Sequence, residues 1–167
     1  QASFTTYPGG SNQQGSYPCG IVFVNTSIGA SSYVWSFGDG HQSLLSINPH
    51  YQFSSSGVFN SNLIIQSSNG CFNTITKEVI VHKKPEIELS ISTQCEGEKT
   101  LLEAFTSIVD SEISYSSWDF GDHNILSDNL FAEHIYNTFG TFNVNFSVRS
   151  IYGCSNSMNG IAEVNPV

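Results

Sequence analysis

Two stretches pair an acid with an imidazole, Asp39-Gly40-His41 in the first half of the chain and Asp122-His123 in the second. Such a pair can orient a general base or supply part of a metal site. The remainder of an active-site signature does not accompany either pair. Gly-x-Ser-x-Gly and His-Glu-x-x-His are absent, and no glycine-rich phosphate loop occurs. The two aspartates also sit at matching places in the two halves. A residue duplicated with its fold is more simply explained by folding than by reaction. No catalytic residue is assigned, and the chain reads as a non-enzyme. His50 and His134, each beside aromatics, are expected to cap loops through a hydrogen bond. His82 carries no signal.

The acids Glu96, Glu98 and Glu103, and Asp110 with Glu112, are the best candidates for calcium. Calcium needs about six to eight converging oxygens, and no EF-hand spacing is present. Solvated strand and loop acids are the simpler reading. No metal ligand or cofactor is assigned, with calcium left open for the second half alone. Four cysteines stand at 19, 71, 95 and 154. None lies close enough to another for a zinc motif. Four cysteines allow three pairings.

An internal repeat organises all of these residues. A shift of 83 places Trp35 on Trp118 and Phe37-Gly38-Asp39 on Phe120-Gly121-Asp122. The same shift places Phe53 on Tyr136, Gly57 on Gly140, Phe59 on Phe142 and Gly70-Cys71 on Gly153-Cys154. One constant offset through so many rare residues marks two copies of one unit, 1–83 and 84–167. The repeat selects Cys19 with Cys71 and Cys95 with Cys154, one bridge in each copy, and so an oxidising compartment. Cys71 and Cys154 keep the common offset, whereas Cys19 and Cys95 do not, so the early segment of the first copy is the longer.

Each copy reads as strands. Val144, Phe146 and Val148 alternate with Asn143, Asn145 and Ser147; Leu63 to Ile65, Val79 to Val81, and Ile87, Leu89 and Ile91 behave similarly. No segment shows a sustained apolar stripe at helical spacing. Short strands in two repeats predict an all-β chain of two antiparallel β-sandwiches, about seven strands each. Tyr33, Trp35 and Phe37 share one face of a strand and should fill the core. The strand ends at Gly38-Asp39-Gly40, a good turn because glycine accepts positive φ and aspartate bonds backbone two residues on. The second copy keeps Trp118, Phe120, Gly121 and Asp122 but has His123 for the second glycine. Histidine is strained in the left-handed region, so a different turn is expected there.

Composition removes several function classes. The 167 residues include 14 acids against 5 Lys and Arg, a net charge of −9. Phosphate binding rests on lysine and arginine, so nucleic acid is an unsuitable partner. No apolar run approaches the ~18–20 residues of a membrane span, so no membrane insertion is expected. Gln1 opens no basic-then-apolar leader; any secretion signal is expected to have been removed or to lie outside the chain. The acid is unevenly placed. Asp39 and Glu78 are the only acids through Lys83, whereas twelve follow. That excess solubilises a secreted protein or forms a face that attracts calcium or a cationic partner. At the junction His82-Lys83-Lys84-Pro85-Glu86, proline restricts the chain and predicts an end-to-end pair with limited hinge motion.

The motif Trp35-Ser36-Phe37-Gly38-Asp39-Gly40, followed by Pro49-His50-Tyr51-Gln52-Phe53, Gly57-Val58-Phe59 and Asn69-Gly70-Cys71, resembles the PKD (polycystic kidney disease) domain. The second copy repeats it as Trp118-Asp119-Phe120-Gly121-Asp122, His134-Ile135-Tyr136, Gly140-Thr141-Phe142 and Gly153-Cys154. His123, and Tyr51 where the offset places His134, depart from the pattern. The resemblance implies two tandem immunoglobulin-like sandwiches from an extracellular multidomain protein. It is similar to versions in very large bacterial surface proteins, including those of gliding bacteria. The expected function is a structural or adhesive segment of a secreted or cell-surface protein. Its partners would be neighbouring domains of the same polypeptide and an extracellular protein or glycan surface. The alternative is an accessory substrate-binding module of a secreted polysaccharide hydrolase or protease.

Overall fold

A computed structural model describes residues 1–9 and 19–167. The chain divides into two compact units, Gln1–Lys84 and Pro85–Val167.

In unit 1 the strands are β1 (Phe4–Pro8), β2 (Ile21–Asn25), β3 (Ser32–Ser36), β4 (Gln42–Ser43), β5 (His50–Tyr51), β6 (Gly57–Gln66) and β7 (Phe72–Val81). They form a sheet of order β1-β2-β5 and a larger one of order β4-β3-β6-β7, with antiparallel neighbours throughout. Unit 2 contains β8 (Ile87–Ile91), β9 (Gln94–Cys95), β10 (Lys99–Thr106), β11 (Ile113–Asp119), β12 (Ile125–Ser127), β13 (Phe131–Ile135), β14 (Gly140–Ser150) and β15 (Ser155–Asn165). The sheets are β13-β10-β8 and β12-β11-β14-β15-β9. The pairing of β9 with β15 is parallel, a departure from the antiparallel expectation confined to Gln94 and Cys95. A single 3-10 turn, Asp110–Glu112, precedes β11. Each unit is thus an all-β, immunoglobulin-like sandwich.

Alternation explains why the sheets face each other. On β6, Ser61, Leu63 and Ile65 are buried while Val58, Asn60 and Ile64 are exposed. On β14, Val144, Phe146, Val148 and Ser150 are buried in the same rhythm. Burying one face of each strand removes its apolar side chains from water and leaves polar groups solvated. Both cores mix aromatic and aliphatic side chains and differ in which rings surround the tryptophan. Phe4, Phe23, Trp35, Phe37 and Phe53 pack the first together with Leu63, Ile65, Val79 and Val81. In the second, Leu102, Ala104 and Val144 join Trp118, Phe120, Tyr136 and Phe146. Trp35 meets the Phe4 and Phe23 rings at centroid separations of 5.2 and 5.5 Å, and Trp118 meets Phe146 at 4.7 Å. Both tryptophans are fully buried, and neither indole N–H has an acceptor among the described residues.

The expected cysteine pairs do not form. Cys19 and Cys154 are each disulfide-bonded, whereas Cys71 and Cys95 carry free thiols. Strand length excludes the two bridges inside the copies. The Cys19 amide bonds the His82 carbonyl just beyond one end of β7, and Cys71 lies in the turn before its other end. Cys95 pairs with Asn165 at the last position of β15, whereas Cys154 immediately precedes its first. A strand of such length spans about 33 Å, far beyond the roughly 7 Å across which two Cα atoms can be bridged. Nor are Cys19 and Cys95 equivalent. The bond from Cys19 to His82 is matched by one from the Glu96 amide to Asn165, one residue after Cys95.

Candidate functional site

The duplicated Phe-Gly-Asp segment begins where β3 and β11 leave their sheets. At the first turn the Phe37 amide donates to the His41 carbonyl at 3.1 Å, and at the second the Phe120 amide donates to the Asn124 carbonyl at 3.1 Å. Gly38 (φ +92°) and Gly121 (φ +79°) pass directly over the backbone of Asn60 and Asn143. A Cβ at position 38 would lie 2.7 Å from the Asn60 carbonyl oxygen. Only glycine combines that approach with that backbone angle.

Aspartate then closes the turn. Asp39 Oδ1 accepts from the His41 amide and Asp122 Oδ1 from the Asn124 amide, each at 3.1 Å. His123 does not change this turn, contrary to the expectation from its side chain. It adopts φ +74° where Gly40 has +95°. The space beside Gly40 is open, with nothing within 4 Å of an added Cβ, so the histidine ring fits and only backbone strain remains.

The second carboxylate oxygen is braced by an aromatic side chain, and here the copies use different groups. Tyr51 donates its hydroxyl to Asp39 Oδ2 at 2.7 Å, with its ring stacked 3.7 Å from Phe37 at an interplanar angle of 6°. His134 Nε2 lies 2.7 Å from Asp122 Oδ2, with its ring stacked 4.1 Å from Phe120 at 1°. Each ring also meets an edge, Tyr51 against Phe53 and His134 against Tyr136. Tyr51 and His134, matched by the offset of 83, therefore also serve the same role, which their chemical difference obscures in the sequence. A planar ring with a polar hydrogen at its rim is the shared property.

Both carboxyls are pushed upward by burial, but hydrogen bonds outweigh it and hold them below the ordinary value. For Asp39 these come from the Tyr51 hydroxyl and the His41 amide, with the imidazole of His41 adding attraction. For Asp122 they come from His134 and from the side chain and amide of Asn124. Burial, together with the bond to Asp39 and its charge, pushes the Tyr51 hydroxyl up to about 12. Tyr136 is raised by burial and by the charges of Asp122 and Asp119.

A second exchange lies beneath the turn. The Phe37 carbonyl accepts from Ser61 Oγ at 2.9 Å, whereas the Phe120 carbonyl accepts from Tyr136 Oη at 2.9 Å. At the common offset Ser61 becomes Val144 while Phe53 becomes Tyr136. One hydroxyl is lost and another gained, so the buried carbonyl is satisfied in both copies. Neither partner stands out in one copy alone; the paired change across the repeat is the readable signal.

The remaining candidates lie elsewhere. The His50 ring lies against Gly9 and Gly20, where a Cβ at Gly20 would come within 2.8 Å of Nε2. Glu96 accepts from the Phe139 amide at 3.0 Å and the Val167 amide at 3.5 Å, so its oxygens hold backbone. Glu103 lies on β10, and Asp110 and Glu112 lie in the 3-10 turn. No group of three or more His, Cys, Asp or Glu suited to a metal occurs among the described residues. Among those residues, no helix is long and apolar enough to cross a membrane.

The chain is similar in fold to several solved structures. The PKD1 domain of Vibrio anguillarum Epp shares 20% identity and a TM-score of 0.44, covering 50% of this chain and 96% of that one. The PKD1 domain of the Vibrio cholerae metalloprotease PrtV shares 21% identity and a TM-score of 0.43, over 49% and 98%. The fibronectin(III)-like modules of Clostridium thermocellum CbhA share 14% identity and a TM-score of 0.42, over 99% and 95%. No curated protein matches the chain. The sequence model of the PKD domain matches residues 22–81 and again 82–165. With both copies of the Trp-x-Phe-Gly-Asp turn inside those spans, the chain belongs to the PKD domain family and carries the domain twice in tandem.

Proposed function

We propose that the chain is a non-catalytic structural and adhesive segment of a larger secreted or cell-surface protein, serving as a spacer and an interaction module. The observation that carries this reading is how Asp39 and Asp122 are used. Each carboxylate has one oxygen on the backbone of its own turn and the other on an aromatic brace. The brace changes from phenol to imidazole between copies while the turn is retained. Reactive chemistry depends on which group occupies that position, whereas turn closure needs only a donor. Disulfide-bonded cysteines and the occurrence of PKD domains in extracellular proteins support export. The reading requires no cofactor.

The decisive experiment labels intact cells of the source organism with a membrane-impermeant amine reagent. The protein should be tagged without lysis, and tagging only after lysis would defeat the reading. Replacing Asp39 and Asp122 together by Asn should lower the melting temperature. A hydrolytic activity abolished by that double change would instead establish a catalytic role.

A further inference from the structure

The small sheets of the two units turn different chemistry outward. In unit 2, β10 buries Thr100, Leu102 and Ala104 and exposes Leu101, Glu103 and Phe105. Across the sheet, Glu133 stands opposite Leu101, Phe131 opposite Glu103, and Glu88 opposite Phe105. Apolar and acidic side chains therefore alternate in two directions. Leu101, Phe105, Phe131 and Ile135 remain 43%, 51%, 50% and 43% exposed. Diagonal neighbours on a sheet are about 7–8 Å apart, close enough for long side chains to make one zigzag strip. Contiguous apolar surface rimmed by polar groups marks an interaction site more often than scattered exposure does.

The charge on that face is one-sided. Lys99 is occupied by Glu133 at 2.6 Å. Glu88 and Glu103 form no ion pair among the described residues, and the twelve acids of unit 2 face only Lys99 and Arg149 as bases. Arg149 belongs to the other sheet. In unit 1 the corresponding strands present Thr5, Tyr7, Val22, Val24 and His50, with no carboxylate.

We propose that the outer face of β8, β10 and β13 docks a partner polypeptide in which lysine or arginine alternates with apolar side chains. An extended segment of that kind matches the period of the sheet, setting its cations over Glu88 and Glu103 and its apolar groups over the strip. An anionic membrane is repelled by the same carboxylates. A glycan could stack on the Phe105 and Phe131 rings but leaves Leu101 and Ile135 without a partner, whereas an apolar-basic segment uses all four apolar groups and the carboxylates between them. This inference rests on the reading of the chain as an interaction module and names the surface and the partner chemistry.

The test titrates the complete chain with a synthetic peptide alternating lysine and leucine, followed by amide chemical shifts and calorimetry. Saturable shifts should map to β8, β10 and β13 and weaken as salt is raised. Glu103→Lys and Phe131→Ser should each reduce affinity by about tenfold while the amide spectrum away from this sheet stays that of the folded chain. Absence of binding, equal binding of a glutamate-leucine peptide, shifts centred on unit 1, or indifference to Glu103→Lys would each overturn the proposal. So would a chitin oligosaccharide that occupies this face when the peptide does not. These failures leave surface labelling of intact cells unaffected, so loss of the docking site and loss of the export reading are separate outcomes.

Discussion

Tyr51 in the first copy and His134 in the second stand over equivalent aspartates, Asp39 and Asp122, each 2.7 Å from Oδ2 and parallel to the equivalent phenylalanine, Phe37 or Phe120. The difference teaches that the domain conserves a geometry in which a flat ring covers the turn and satisfies its acid, while the donor itself is replaceable. The buried carbonyl at Phe37 and Phe120 makes the same point, served from β6 by Ser61 in one copy and from beyond β13 by Tyr136 in the other. In both cases the constraint is a buried or half-buried polar group that must be paired.

The largest test of this comparison removes the core aromatics. Trp35→Ala and Trp118→Ala should each destabilise their own unit by about 3–5 kcal/mol. Trp35→Ala should have the greater effect, because it loses two ring contacts, with Phe4 and Phe23, where Trp118 loses one, with Phe146, each worth about 0.5–1.5 kcal/mol. Each unit has one tryptophan, so in either variant the remaining fluorescence reports the unaltered unit, and urea unfolding followed by circular dichroism reads the loss in the altered one. Equal losses in the two units would show that the second ring contact of Trp35 adds nothing.

Next in size is the hydroxyl exchange. Tyr136→Phe should destabilise unit 2 by about 1–3 kcal/mol, since the Phe120 carbonyl is left buried without its donor. Adding Val144→Ser installs the arrangement of the first copy and should recover part of that loss. A double variant no more stable than Tyr136→Phe alone would show that the exchange is coincidental.

The braces predict different pH behaviour. Tyr51 keeps its proton to about pH 12 in the fold against an ordinary value of 10. Its contribution is therefore complete below about pH 10 and is lost as pH rises toward 12. Tyr51→Phe should weaken unit 1 by about 1.5 kcal/mol at neutral pH and reduce its alkaline loss. In unit 2 the alkaline loss should follow Tyr136 instead. Asp39 and Asp122 act in the opposite direction. Their folded values are lowered, so their contribution is present above the unfolded value near 3.8 and disappears as pH falls through the folded one. Urea midpoints across pH check both limbs, and an alkaline limb unchanged by Tyr51→Phe would remove the phenol from this role.

The smallest effect concerns the turn glycine. His123→Gly should stabilise unit 2 by about 0.5–1 kcal/mol by relieving a left-handed histidine, and Gly40→His should destabilise unit 1 similarly. Unfolding midpoints that move together would show the turns to be unequal.

Much of the fold was legible because it depends on local, repeated properties. Alternation on β6 and β14, the aromatics leading into each turn, and the common offset of 83 all report which side chains face inward. The offset set Tyr51 against His134, but their common role was hidden, since the shared property is the position of a polar hydrogen and residue type does not display it. The His123 turn was misjudged because strain at one residue is small beside the bonds that close the loop.

The sequence by itself determined that a strand-built domain occurs twice, with a tryptophan at the centre of each copy and a glycine-aspartate turn above it, because burial and backbone freedom follow residue by residue from chemical type. Only the tertiary structure decided the cysteines. Cys71 and Cys154 occupy matching turns, with Ser67 and Ser150 donating to their carbonyls at 2.9 and 2.8 Å, yet one is an exposed thiol and the other is buried and oxidised. Disulfide partners are set by which end of a strand each cysteine occupies and what faces it across a few ångströms, and spacing along the chain does not contain that distance.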